Sequence, residues 1–208
     1  MIFRPIKVMT LTVAVVLLAS CALGVQKESY RLIAPAVKPA DARAAGDIRQ
    51  KLAIARPEAD RTRDSSRILV RRGRTLLPWV NAAWIDRAPE LLQGLLVEYL
   101  DGRVATVGRL GALPAQYRLD LVLRRFELVE GGDELQAELI LVARLFAADG
   151  TLLGVTVVEG QTAADGHDLD AAVTAMEATI AEVFSALADW LSPRLADAKE
   201  LSLSDRGQ

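Results

Sequence analysis

Residues 117–160 alternate apolar and polar side chains with a period of two, broken by two turn signals, and this pattern reads as a meander of three antiparallel strands. In the first strand Tyr117, Leu119, Leu121 and Leu123 alternate with Arg118, Asp120 and Arg124. Phe126 and Leu128 then carry the apolar face on with even parity, and a one-residue slip of that kind predicts a bulge near Arg124-Arg125. Gly131-Gly132-Asp133 turns the chain, and Asp149-Gly150 is a hairpin signal. In the middle strand Leu139, Leu141 and Leu145 face one side while Ile140, Val142 and Phe146 face the other. That predicts a central strand buried on both faces.

A sheet of this kind needs helical cover, and two segments supply it. Pro89 and Glu90 suit the first turn of a helix over residues 89–100, with Leu92, Leu95, Leu96 and Tyr99 on one face and Asp101-Gly102 as the stop. Asp168 caps a longer helix with Asp170 in its first turn. Val173, Met176, Ile180, Val183, Phe184, Leu187, Trp190 and Leu191 recur at spacings of three and four until Pro193 is expected to end the run. The stripe reads as core packing against the sheet, with a partner-binding face as the alternative. Further short strands are expected at Tyr30, Leu52-Ala53-Ile54-Ala55, Arg67-Ile68-Leu69-Val70-Arg71 and around Val104 to Val107, with a polar turn from Asp60 to Asp64. The fold class is α/β (α+β): a single domain with a mixed sheet, an antiparallel meander, one central helix and a long C-terminal helix.

The amino terminus is of a different kind. Arg4 and Lys7 precede an apolar run, Val8 to Leu18, interrupted only by Thr10 and Thr12. Leu18-Ala19-Ser20-Cys21 closes it, which is the anatomy of a secretory signal. The run is too short for a permanent span, which needs about 20 residues. The four closing residues resemble the lipobox of bacterial lipoproteins. That resemblance implies a diacylglycerol, with acyl chains such as palmitate, on the Cys21 sulfur and a cut between Ser20 and Cys21. Ala22 follows and no Asp, which by the same resemblance permits transfer to the outer membrane. Cys21 is the single cysteine, so no internal disulfide can form. The alternatives are an inert thiol in an ordinary signal peptide or an uncleaved anchor. The boundaries are therefore a signal over 1–20, a lipidated N-terminus and tether over 21–47, the globular domain over 48–192 and a polar tail over 193–208.

Few kinds of chemistry fit the remaining residues. A formal charge of −2 gives no reason to expect nucleic acid. The one histidine, His167, sits in a polar loop, and no second histidine or free cysteine completes a zinc site. There is no G-x-S-x-G elbow, P-loop or G-x-G-x-x-G fingerprint, and no carboxylate pair stands out. The expectation is no catalysis, no metal and no cofactor. The one concentrated charge is Arg56, Arg61, Arg63, Arg67, Arg71, Arg72 and Arg74. It reads either as solvated loop and strand-edge charge or as a surface for lipid head groups or an acidic partner. Arg71, Arg72, Arg74 and Trp79 are the candidate partner contacts, whereas Trp84 reads as packing between helix and sheet.

Arg67-Ile68-Leu69-Val70-Arg71, then Trp84-Ile85-Asp86-Arg87-Ala88-Pro89, Leu91-Leu92, Leu96-Val97-Glu98, Tyr117-Arg118-Leu119, Phe126, Arg144-Leu145 and Trp190 together carry a resemblance. With the lipobox, the chain resembles the ABC-type transport auxiliary lipoprotein family, including lipoproteins of the paraquat-inducible kind, over about residues 28–192. It departs from that pattern at Leu76-Leu77-Pro78-Trp79, where the family often has tyrosines, and at Val157-Val158, where it tends to have phenylalanine. The resemblance implies a non-catalytic lipoprotein on the periplasmic face of the outer membrane. It would be an auxiliary docking component for an MCE-type periplasmic protein and its ABC transporter in intermembrane lipid transport. Homo-oligomerisation stays open. An outer-membrane assembly lipoprotein is the alternative function, and a periplasmic enzyme would need a pocket converging on His167.

Overall fold

The computed structural model describes residues 28–30 and 50–204. The signal, Cys21 and nearly all of the tether read over residues 21–47 lie outside the described residues. Nine strands and two helices follow in the order β1 Glu28–Tyr30, β2 Lys51–Ile54, β3 Glu58–Ala59, β4 Arg67–Arg72, β5 Thr75–Trp84, α1 Ala88–Leu100, β6 Thr106–Arg109, β7 Tyr117–Gly131, β8 Glu134–Ala147, β9 Leu152–Ala163 and α2 Leu169–Ser204. The strands form one mixed sheet, as the alternation and helical periodicities predict.

β7 organises that sheet. One edge pairs with β8 along its length, and β8 pairs with β9, which is the expected meander. The other edge takes three partners in succession, all parallel: β2 at Tyr117–Leu119, β3 at Val122–Leu123 and β4 at Leu128–Glu130. β6 lies beyond β2, β5 beyond β4, and β1 beyond β5. The β7–β8 register jumps from Leu123↔Leu141 to Arg125↔Ile140, so Arg124 is the extra residue of the expected bulge. Without that bulge Phe126 and Leu128 would point away from the core that Leu119, Leu121 and Leu123 share.

Both helices contribute to one core on a single sheet face. Leu92, Leu96 and Leu100 of α1 and Met176, Ile180, Val183, Phe184, Leu187 and Leu191 of α2 join Leu119, Leu139, Leu141 and Leu145 in one apolar cluster. The stripe on α2 is core, as expected. Close approach there depends on Gly160, where a Cβ would come within 2.9 Å of Val183 Cγ2. Leu169–Asp197 has the length and hydropathy of a membrane span, yet half of its most apolar window is buried against the sheet.

Four expectations need correction. The middle strand has its apolar burial on one face only: Ile140, Val142 and Phe146 are half-buried, because the helices cover the opposite side, and on their own face Glu138 is the buried member. α2 does not stop at Pro193 but runs through it to Ser204. A proline removes one N–H from the ladder. Nearby carbonyls find side-chain donors, Ser192 Oγ to Ala188 O and Arg194 Nη1 to Trp190 O, each at 2.9 Å. Leu195 is also buried, so packing continues past the proline. β6 lies two residues later than expected. Finally, the ten-residue β5 is missing from the expected elements; Pro78 and an irregular pattern give it no clear strand signal. Four residues of β5, Trp79 to Ala82, oppose the single residue Ile68, with Asn81 at φ 61°. Pro78 is tolerated because β1 covers only Ala82–Trp84, leaving that stretch as an edge among the described residues.

Candidate functional site

A cleft of about 490 Å³ opens where the β4–β5 hairpin, the β7–β8 hairpin and the loop before α2 meet. Val70 forms its floor, and Leu77, Pro78, Trp79, Val80 and Leu135 supply apolar walls. The β5 bulge turns Val80 outward to 76% exposure, while Trp79 stays half-buried against the core. Arg72, Glu130 and His167 are its polar members. Arg72 Nε donates to Glu130 Oε2, so this charge is already paired. His167 Nε2 lies 2.9 Å from the Asp133 carbonyl and must be the donor, since a carbonyl only accepts. The Gly132 turn at φ 65° presents that carbonyl. No base touches a nucleophile here. The arrangement suits holding an apolar group more than breaking a bond.

The arginine cluster divides between two faces of the sheet, and part of it enters an ion cluster that the sequence reading missed. Glu127 and Glu138 stand directly opposite each other on β7 and β8, at 1% and 2% exposure. Arg71 bridges them, with Nε 3.0 Å from Glu127 Oε1 and Nη2 2.6 Å from Glu138 Oε2. Arg63 adds an ion pair to Glu127. Arg125 Nη1 donates to Glu138 at 2.6 Å, and Gln161 Nε2 at 3.0 Å. Arg63 and Arg71 are thus neither a solvated fringe nor a free docking patch. Arg56 is held by Asp64 and Glu90 at 2.6 and 2.8 Å. Arg61, Arg67 and Arg74 are exposed and make no ion pair among the described residues.

Sequence position carried a usable signal for this pair. A two-residue turn at Gly132-Asp133 pairs Gly131 with Glu134, and counting back four residues from each sets Glu127 against Glu138. Burial alone would raise the Glu138 carboxyl. Hydrogen bonds from Arg125, Arg71 and Gln161 outweigh it and hold the group below the ordinary range. Asp60 is lowered too, against its burial, by the Arg63 guanidinium and by backbone N–H groups of Arg63 and Thr62. A depressed carboxylate binds fewer protons folded than unfolded, so its contribution is full above the unfolded value and is lost as pH falls through the folded one. Stability should therefore be nearly flat around neutrality and fall below about pH 4. Urea midpoints measured from pH 7 to 3 should show a shallower acid limb in Glu138→Gln. An unchanged limb would mean that this cluster is not what acid attacks.

Of the residues singled out by sequence, Arg72 and Trp79 line the cleft together with His167. Arg74 stands at the tip of the β4–β5 hairpin, one residue past Gly73 at φ 57°. Arg71 belongs to the ion cluster instead. Trp84 is packing, as expected, 3% exposed with its ring centroid 5.4 Å from that of Phe126. Cys21 lies outside the described residues. Among the described residues no group of three or more His, Cys, Asp or Glu side chains could hold a metal ion.

Comparison with known proteins places this geometry. A family model described as the ABC-type transport auxiliary lipoprotein component matches residues 30–188. A crystal structure of a Xanthomonas campestris protein assigned to family DUF330 is 27% identical, with a TM-score of 0.67, covering 73% of this chain and 87% of that one. Another crystal structure, of an uncharacterised protein, has a TM-score of 0.64 at 14% identity and covers 80% of this chain and 99% of its own. At that identity the likeness concerns the fold alone. No curated protein matches the chain.

Proposed function

Because the chain belongs to the ABC-type transport auxiliary lipoprotein family, we propose that it is a non-catalytic docking component of an MCE-type intermembrane lipid transport system, acylated on Cys21 and held on the periplasmic face of the outer membrane. Membership in a lipoprotein family gives a membrane-anchored place in the envelope, and the family description ties the chain to ABC transport. The observation that carries the reading is the match over 30–188, which takes in α1, most of the core stripe of α2, the whole meander and the cleft. Supporting it is the character of that cleft, whose polar groups are paired with one another or with backbone. An adaptor needs a shaped surface and no reacting centre, and ATP hydrolysis would belong to another chain. Arg72 and Trp79 line the cleft and Arg74 stands beside it, and the partner contact of this proposal is not assigned to them. Arg71 serves it indirectly, by holding β4 against β7 and β8.

The test is co-purification. The full-length protein, extracted in detergent, should retain the MCE-type component and permease encoded beside it. Retention of a β-barrel assembly protein in place of any transport component would replace the adaptor reading with the assembly-lipoprotein alternative.

A further inference from the structure

β1 fastens the chain to the sheet much sooner than a tether over 21–47 would suggest. Glu28, Ser29 and Tyr30 pair with Ala82, Ala83 and Trp84, and the Ile85 N–H donates to Tyr30 O at 2.9 Å. Only six residues separate Cys21 from Glu28. Whatever their path, seven steps of chain span at most about 25 Å. Direction follows from the pairing. β1 runs parallel to β5, so the chain enters β1 from the Asn81 side, the side on which β5 leads back to Thr75 and the hairpin tip. Counting back seven residues from Ala82 reaches Thr75. The anchor cannot lie farther from β1 than about the length of β5.

That stretch of β5 has a distinctive surface. Val80 is 76% and Leu77 41% exposed, with Trp79 half-buried between them. Arg74 projects at the tip with no ion pair among the described residues, whereas Arg72, two residues before it, is largely exposed but already paired with Glu130. The edge is poorly made for adding a partner's strand, because Pro78 has no N–H to offer and the bulge at Asn81 breaks the ladder. An unpaired arginine with tryptophan and aliphatic side chains along one strand edge is what a bilayer interface accepts, the charge meeting headgroup phosphates and the ring and aliphatics the acyl boundary.

We propose that the β5 edge from Arg74 to Val80 is the membrane-facing surface of this domain, lying on phospholipid headgroups beside the acylated Cys21. The proposal rests on the lipid-anchor reading. It sets the mouth of the cleft at the bilayer surface and turns the β6 edge toward the periplasm. Trp190 provides an internal control, since it lies 21 residues along α2 from Leu169, about 31 Å at 1.5 Å per residue.

The experiment uses the full-length protein in vesicles of phosphatidylethanolamine and phosphatidylglycerol whose acyl chains are brominated, with tryptophan emission as the readout. Quenching should be present in the wild type, lost in Trp79→Phe, and reduced in Arg74→Glu and Val80→Asp, whose exposed sites leave the fold intact. Protein that floats with the vesicles and carries an acylated Cys21, yet shows no quenching or quenching indifferent to Trp79→Phe, overturns this proposal and leaves the anchor reading standing. Protein whose amino terminus carries no acyl chain by mass spectrometry overturns the anchor reading, and this proposal with it.

Discussion

Phe184→Ala is expected to destabilise the folded domain by about 3–5 kcal/mol. The ring has no solvent exposure and lies in the core that the two helices share with the sheet. It is on the core stripe of α2, its centroid is 5.7 Å from that of Tyr99 on α1, and the sheet closes the third side. Deleting it removes the transfer free energy of an aromatic side chain and leaves a void that a long helix cannot collapse to fill. Denaturant midpoints with an unchanged slope would report it directly. A variant that melts like the wild type but loses its partner would make the stripe an interface, against the burial seen for Met176, Ile180 and Leu187.

Arg71→Met should cost about 3 kcal/mol or more, although the guanidinium is partly exposed. Its removal leaves Glu127 and Glu138 facing each other across β7 and β8, nearly out of water, with one arginine apiece. Breaking a buried ion cluster by deleting one member costs more than the cluster contributes as a whole, because the remaining charges stay desolvated. Adding Glu127→Gln to Arg71→Met should therefore recover part of the loss. Arg74→Glu, three residues away and exposed, should change stability by no more than about 0.5 kcal/mol. Equal stability of Arg71→Met and wild type would mean that the cluster does not hold these strands together. Reversing Arg71, Arg72 and Arg74 together would report unfolding in place of docking, so Arg71 is uninformative for any docking surface.

Local pattern carried much of this protein. The parity slip from Leu123 to Phe126 predicts the Arg124 bulge, since a period-two alternation cannot change face without an extra residue. The spacing from Val173 to Leu191 predicts the core stripe of α2, and Pro89 and Asp168 mark where the helices begin. These signals are local because helix and strand periodicities are written in consecutive residues. What only the tertiary structure decided depends on neighbours distant in the chain. Pro78 and Asn81 argue against a strand by themselves, and β5 exists because β4 pairs with it on one side while little occupies the other. Pro193 ends a helix in isolation, but Leu195 buried against the sheet continues it. The arginines looked alike in sequence. Arg63 and Arg71 became structural because β7 and β8 set two buried glutamates beside them, whereas Arg74 at a hairpin tip has no ion pair among the described residues. A charged side chain's role is determined by what its desolvation must be balanced against, and that is settled only when the sheet assembles.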